Sequence, residues 1–134
     1  DFESPNYSTK LGDAYILVPF PFVTVSAGAV SKDTRNFDMF FNNYTLDSTT
    51  VSIKLPEGYR VKYLPKSFED VNEYLKISMK FSYDEKSNTV MFKRNNESLK
   101  KYLPRSDYKK FKAQLEKTAT LKKDRMILER IEKK

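Results

Sequence analysis

Ser98-Leu-Lys-Lys101 and Ser106-Asp-Tyr-Lys109 each set a hydroxyl three residues from an amine. That is the spacing from which a lysine-activated serine nucleophile could be built. The commoner nucleophile arrangements need an imidazole or a thiolate, and the chain contains no histidine and no cysteine. Neither serine–lysine spacing is accompanied by the further motif of a Ser-Lys hydrolase. In a chain with 25 Lys and Arg such spacings arise by chance. Zinc sites draw overwhelmingly on Cys and His, so they are excluded with them. The acidic pairs Glu69-Asp70 and Asp84-Glu85 lack the spacing of a calcium loop. No carboxylate pair stands out as a glycosidase couple. Three glycines cannot make a glycine-rich phosphate loop. The chain is therefore expected to hold no catalytic residue, metal or cofactor, and not to be an enzyme by itself.

Recognition is the remaining chemistry. Nine tyrosines and ten phenylalanines supply large amphipathic or apolar surfaces. Tyr44, Tyr63 and Tyr74 are the candidates for contact with a ligand or a neighbouring domain, with glycan or peptide as the ligand class. The net charge is +7, and residues 94–134 hold all of the excess, with 14 Lys and Arg against 6 Asp and Glu. Such a region can meet an anionic partner. A solvated lysine face is the plainer reading, because lysine outnumbers the fork-shaped arginine. Nucleic acid is disfavoured, since Tyr108 and Phe111 fall on the apolar face of a helix rather than on a stacking surface.

The elements that must position these residues are mostly strands. Ala14–Val23 is aromatic and β-branched, with Pro19 and Pro21 placing it at an edge or splitting it. Ser26–Ser31 is a loop, and Asn36–Phe41 a short apolar piece. Val51, Ile53 and Leu55 alternate with Ser52 and Lys54, and Pro56-Glu57-Gly58 ends that strand as a turn. Val61 and Tyr63 continue on the far side of the turn. Leu75, Ile77, Met79, Phe81 and Tyr83 share one face of a strand, which turns through 84–88 into a returning strand with Val90 and Phe92. Tyr108, Phe111 and Leu115 then predict a helix over about 106–119, with Ser106 as its N-cap and Asp107 against its dipole. Residues 126–131 are read as a final short strand, with a continuing helix through Leu121, Leu128 and Ile131 as the alternative. Residues 1–13 read as a lead-in and 66–73 as a polar connector. The fold class expected is mainly β: an antiparallel β-sandwich-like domain with one C-terminal helix. The 134 residues suit one domain. The start at Asp1 reads as a piece of a larger multidomain protein. No apolar run approaches the roughly 18 residues of a membrane span.

Several of these residues also carry a resemblance. Arg35 precedes the aromatic piece, and Val51-Ser-Ile-Lys-Leu-Pro-Glu-Gly-Tyr-Arg-Val61 is followed by Leu64-Pro65. Phe81-Ser-Tyr83, Val90-Met-Phe-Lys-Arg94, Tyr108-Lys-Lys-Phe111 and Ile127-Leu128 complete the pattern. The stretch resembles the C-terminal domain of unknown function that follows a transglutaminase-like core in exported proteins of Gram-negative bacteria. The resemblance implies a mainly β accessory domain in a periplasmic or cell-surface protein, with the catalytic residues in the preceding domain. That upstream domain is the implied partner. Arg35, Pro56, Gly58, Tyr59 and Pro65 are its structural signature, with Pro56 and Gly58 in the turn, Tyr59 beside it and Arg35 available to a carboxylate.

Overall fold

The computed structural model describes residues 8–17, 30–121 and 123–131. Its strands, in chain order, are β1 (Ser8–Leu11), β2 (Ala14–Leu17), β3 (Met39–Phe40), β4 (Leu46–Lys54) and β5 (Tyr59–Tyr63). They continue with β6 (Phe68–Val71), β7 (Leu75–Asp84), β8 (Thr89–Ser98), β9 (Tyr102–Leu103) and β10 (Met126–Arg130). A 3-10 turn at Arg105–Asp107 leads into helix α1 (Tyr108–Leu121). The mainly antiparallel β class, the single C-terminal helix and the closing strand are all as the sequence predicts. The strand reading beyond Leu17 and the loop from Ser26 to Ala29 lie outside the described residues.

The strict alternation of β7 makes it the spine of a four-stranded sheet ordered β4-β8-β7-β6. Leu75, Ile77 and Met79 are buried on one face and Lys76 and Lys80 exposed on the other, where Ser78 is buried as well. The sheet's long inner face has two covers. Over one end lies a second sheet, ordered β1-β2-β10-β5, all antiparallel. Leu17, Met126 and Leu128 from that sheet pack with Val90 and Leu55. Over the other end lies α1, whose Tyr108 and Phe111 pack with Leu75, Ile77 and Leu103. Between the two covers Met79 and Phe92 form their own cluster. A two-stranded ribbon of β3 and β9 flanks the helical end.

Local differences from the sequence reading have specific causes. Ser8–Leu11 is a strand rather than part of a lead-in, because it pairs with β2 through the Gly12 turn, where φ is +61°. Phe68–Val71 is an edge strand of the central sheet rather than a connector, held to Lys76–Met79 of β7. Ser106 does not cap the helix. It sits inside the 3-10 turn and its hydroxyl donates to Asp107 at 3.3 Å. The Arg105 backbone N–H at the start of the 3-10 turn is accepted by Oδ1 of Asp38, distant in the chain, at 2.8 Å. Asp107 accepts the Tyr74 hydroxyl. The helix stops where Thr118 and Thr120 turn their hydroxyls back onto the carbonyls of Gln114 and Glu116. The apolar run 126–128 can then insert as β10 between β2 and β5.

Candidate functional site

The signature turn is built by its neighbours as much as by its own residues. Gly58 adopts φ +82°, which favours glycine there. The turn is held by Asn88, at the end of the β7–β8 loop. Asn88 Nδ2 donates to the carbonyls of Tyr59 at 3.1 Å and Pro56 at 3.4 Å, and its Oδ1 accepts the Tyr83 hydroxyl at 2.8 Å. Its own carbonyl accepts the Leu55 N–H at 2.9 Å. On the other side the Ile131 N–H donates to the Gly58 carbonyl at 2.7 Å. Tyr59 packs edge-on to Tyr15 with ring centres 5.1 Å apart, and their hydrogen bond raises the Tyr59 hydroxyl pKa. Pro65 is buried. Arg35 lies with its guanidinium 5.4 Å from the centre of the Tyr108 ring, a cation–π placement rather than an ion pair in that contact.

Beside this turn runs a groove of about 1060 Å³, with Leu11, Asp13, Glu57, Tyr59, Lys62 and Arg130 among its walls. Its charges are of both signs and partly paired: Glu129 meets Arg60 at 2.8 Å and Lys62 at 3.7 Å. It has neither a single-sign field nor an apolar floor, so it points to no ligand class.

The three tyrosines singled out from the sequence are not brought together. Tyr74 is 4 % exposed and belongs to the helix-side core, so it offers no external contact. Tyr63 is on β5 and donates to Asp124 Oδ2 at 2.9 Å. Tyr44 is 62 % exposed beside the β3–β9 ribbon, with the Lys101 ammonium 4.9 Å from its ring centre. The ribbon itself carries the aromatic surface that sequence reasoning missed. Met39 and Leu103 turn inward, while Phe40 (75 % exposed) and Tyr102 (44 % exposed) turn outward and pack at a tilt with ring centres 4.9 Å apart. Phe37, in the preceding loop, is also exposed. Part of the signal was present in Asn36–Phe41, where alternation about Met39 sends Phe40 outward and Phe41 inward.

Three tyrosine–aspartate pairs tie loops to elements: Tyr63 to Asp124, Tyr74 to Asp107 and Tyr102 to Asp38. Donation to a carboxylate raises each phenol above the ordinary tyrosine range, Tyr74 most of all. Asp38 is held below its usual value, first by the Arg105 backbone N–H and then by Tyr102. Phenols raised in the folded state stabilise it fully below their unfolded pKa of about 10, and that contribution is lost as pH rises through the folded values. Stability to urea should hold up to about pH 10 and then decline. A phenolate absorbance titration should show a late-ionising class of tyrosines. Tyr74→Phe should flatten the steepest part of the decline; an unchanged slope would contradict this assignment.

The two serine–lysine spacings are not joined as catalytic pairs. The Ser98 hydroxyl accepts the Thr45 N–H at 2.6 Å, and Lys101 Nζ donates to the Asn42 carbonyl at 3.2 Å. Ser106 engages Asp107. What the geometry offers instead is an outward aromatic face on the β3–β9 ribbon.

The described residues thus form a mainly antiparallel β domain with one C-terminal helix and a closing strand. Residues 13–128 match the model of DUF3858, described as a domain of unknown function with a solved structure, and the chain belongs to that family. No curated protein matches it. The fold is similar to a crystal structure described as a putative protease from Parabacteroides distasonis ATCC 8503, with a TM-score of 0.66 and 12 % identity. The match covers 87 % of this chain and 23 % of that one, so this chain spans about a quarter of the solved chain's length.

Proposed function

We propose that this chain is a non-catalytic accessory domain that docks against a transglutaminase-like domain of a longer exported protein, in the periplasm or at the cell surface. The outward aromatic face of the β3–β9 ribbon carries this reading. Phe40, Tyr44 and Tyr102 expose large rings that the domain's own core does not use. Contiguous exposed apolar surface marks an interaction site, and aromatic residues dominate interface energetics. The family resemblance supports the partner, and the similarity to part of a much longer chain supports a multidomain setting. In this reading any catalytic chemistry belongs to the neighbouring domain. Among the described residues no helix is long and apolar enough to cross a membrane.

The test is titration of this chain into the separately produced transglutaminase-like domain. The expected result is saturable association that stabilises that domain. A Phe40→Ser, Tyr44→Ser double variant should weaken it by about tenfold or more, since both rings are interface anchors in this reading. Absence of association, or indifference to the double variant, would overturn the proposal. Recognition of a glycan or peptide by surface tyrosines is the alternative. Neither the Gly58 groove nor the clefts around residues 32–39 are lined by Tyr44 or Tyr102. Small-ligand sites are concave, so an aromatic face outside these clefts suits a protein surface better. Binding on a glycan array that the double variant abolishes would favour the alternative.

A further inference from the structure

We propose that the cleft between residues 34–36 and the start of α1 is an oxyanion site that takes a phosphate-type group. It has a volume of about 460 Å³, within the range of small-molecule sites. Arg35, Arg105 and Lys109 supply three positive charges to its walls, Thr34 and Ser106 supply hydroxyls, and Tyr108 lies at its base. No carboxylate lines it among the described residues.

Arg60, Lys62, Arg94, Lys100, Lys112 and Lys117 each meet a carboxylate within ion-pair distance. The side chains of Arg105 and Lys109 meet none among the described residues, although two carboxylates stand close in the fold. Asp38 is engaged by the Arg105 backbone N–H and by Tyr102, each at 2.8 Å. Asp107 is engaged by Tyr74 and Ser106. Both are held on those donors and neither lines the cleft, although Asp38 also attracts the Arg105 guanidinium and offsets part of its charge. The N-terminal end of α1 adds its partial positive charge to the same space.

The walls are also held in place. Arg105 Nη1 donates to the Asn36 carbonyl at 3.3 Å, a strut from one wall to the other. Arg35 rests over the Tyr108 ring, and the Tyr108 hydroxyl donates to the Lys32 carbonyl at 2.6 Å. Preorganised guanidinium groups lose little freedom on binding, and their forks match tetrahedral oxyanions bidentately. Three cations favour a dianion over a monoanion. The site shares no lining residue with the docking face of Phe40, Tyr44 and Tyr102, and it stands whether or not docking occurs.

The test uses the 134-residue chain alone. Its amide NMR spectrum is titrated with inorganic phosphate, glycerol phosphate and acetate at matched low ionic strength. Both phosphates should give saturable one-site shifts confined to residues 34–36 and 105–109, with acetate much weaker. Equal affinity for the two phosphates would mark the oxyanion alone as the ligand; tighter binding of the ester would add a contact beyond it. Lys109→Gln, which breaks no hydrogen bond recorded in the structure, should weaken binding about tenfold, as should Arg105→Gln. A Lys80→Gln, Lys93→Gln control removes two charges facing each other across β7 and β8 and should change nothing. Shifts without saturation, shifts spread over the lysine-rich surface, or equal weakening in the control would each overturn the site.

Discussion

Replacing Gln114 by alanine should cost the fold about 3 kcal/mol, the loss of several buried hydrogen bonds together with a small cavity. Gln114 is 5 % exposed and faces the core from α1, one turn beyond Phe111. Its Nε2 donates to the Leu75 carbonyl at 3.1 Å and the Asp70 carbonyl at 3.4 Å, and its Oε1 accepts from Asn72 Nδ2 at 2.5 Å. Asn72 in turn organises the β6–β7 turn, its Oδ1 accepting the N–H groups of Tyr74 and Leu75 at 2.8 and 2.9 Å. Gln114 is thus the polar joint between the helix and the central sheet. The Leu75 carbonyl keeps a second partner in the Asn72 N–H, which limits the damage at that atom. The Asn72 amide keeps none of its acceptors in this joint. Gln114→Glu should be worse than alanine near neutral pH, because it sets a buried carboxylate against carbonyl oxygens. It should recover as pH falls and the carboxyl protonates into a donor. Urea unfolding of the three proteins measures this. A loss under about 1 kcal/mol for alanine would show the joint to be dispensable.

Asn88→Ala should cost about 2–3 kcal/mol, from two separable sources. One is backbone: Asn88 sits at φ +50°, where alanine pays about 1 kcal/mol or more and asparagine is tolerated. The other is the side-chain clamp on Pro56 and Tyr59, with the Tyr83 hydroxyl as its third partner. Asn88→Gly keeps the left-handed backbone and removes only the clamp, so it should recover about 1 kcal/mol of the alanine loss. Hydrogen exchange should localise the opening of both variants to residues 55–59 and 88–90. If alanine and glycine are equally destabilising, backbone strain contributes nothing. If both resemble the parent, the clamp is not what holds the signature turn.

Both residues show where sequence reading reaches its limit. Asn88 read only as the end of a hairpin loop, and Gln114 carried no reading of its own. Each acts through partners far away in the chain: Pro56 and Tyr59 for Asn88, Asp70, Asn72 and Leu75 for Gln114. The same is true of Asp38, which accepts the Arg105 N–H at the start of the 3-10 turn that leads into α1. Period-based reading sees neighbours at two, three or four residues, whereas a side-chain hydrogen bond across layers has no period. Tyr74 shows the same limit in burial. It stands next to Leu75 at the head of β7, and the packing of α1, rather than its own alternation, puts its ring inside.

The absence of imidazole and thiolate was legible without a structure, and it still decides which chemistries this chain lacks side chains for. The β7–β8 hairpin, the helix and the Pro56–Gly58 turn were legible too, because alternation and turn chemistry are local properties of neighbouring residues. Only the tertiary structure decided which aromatics face outward, because that depends on what covers each face. It sent Tyr74 inward beneath α1 and left Phe40 and Tyr102 outward on the ribbon. It also brought Arg35 to the start of α1, beside Arg105 and Lys109. Residues some seventy positions apart share a surface only after the chain has folded back on itself.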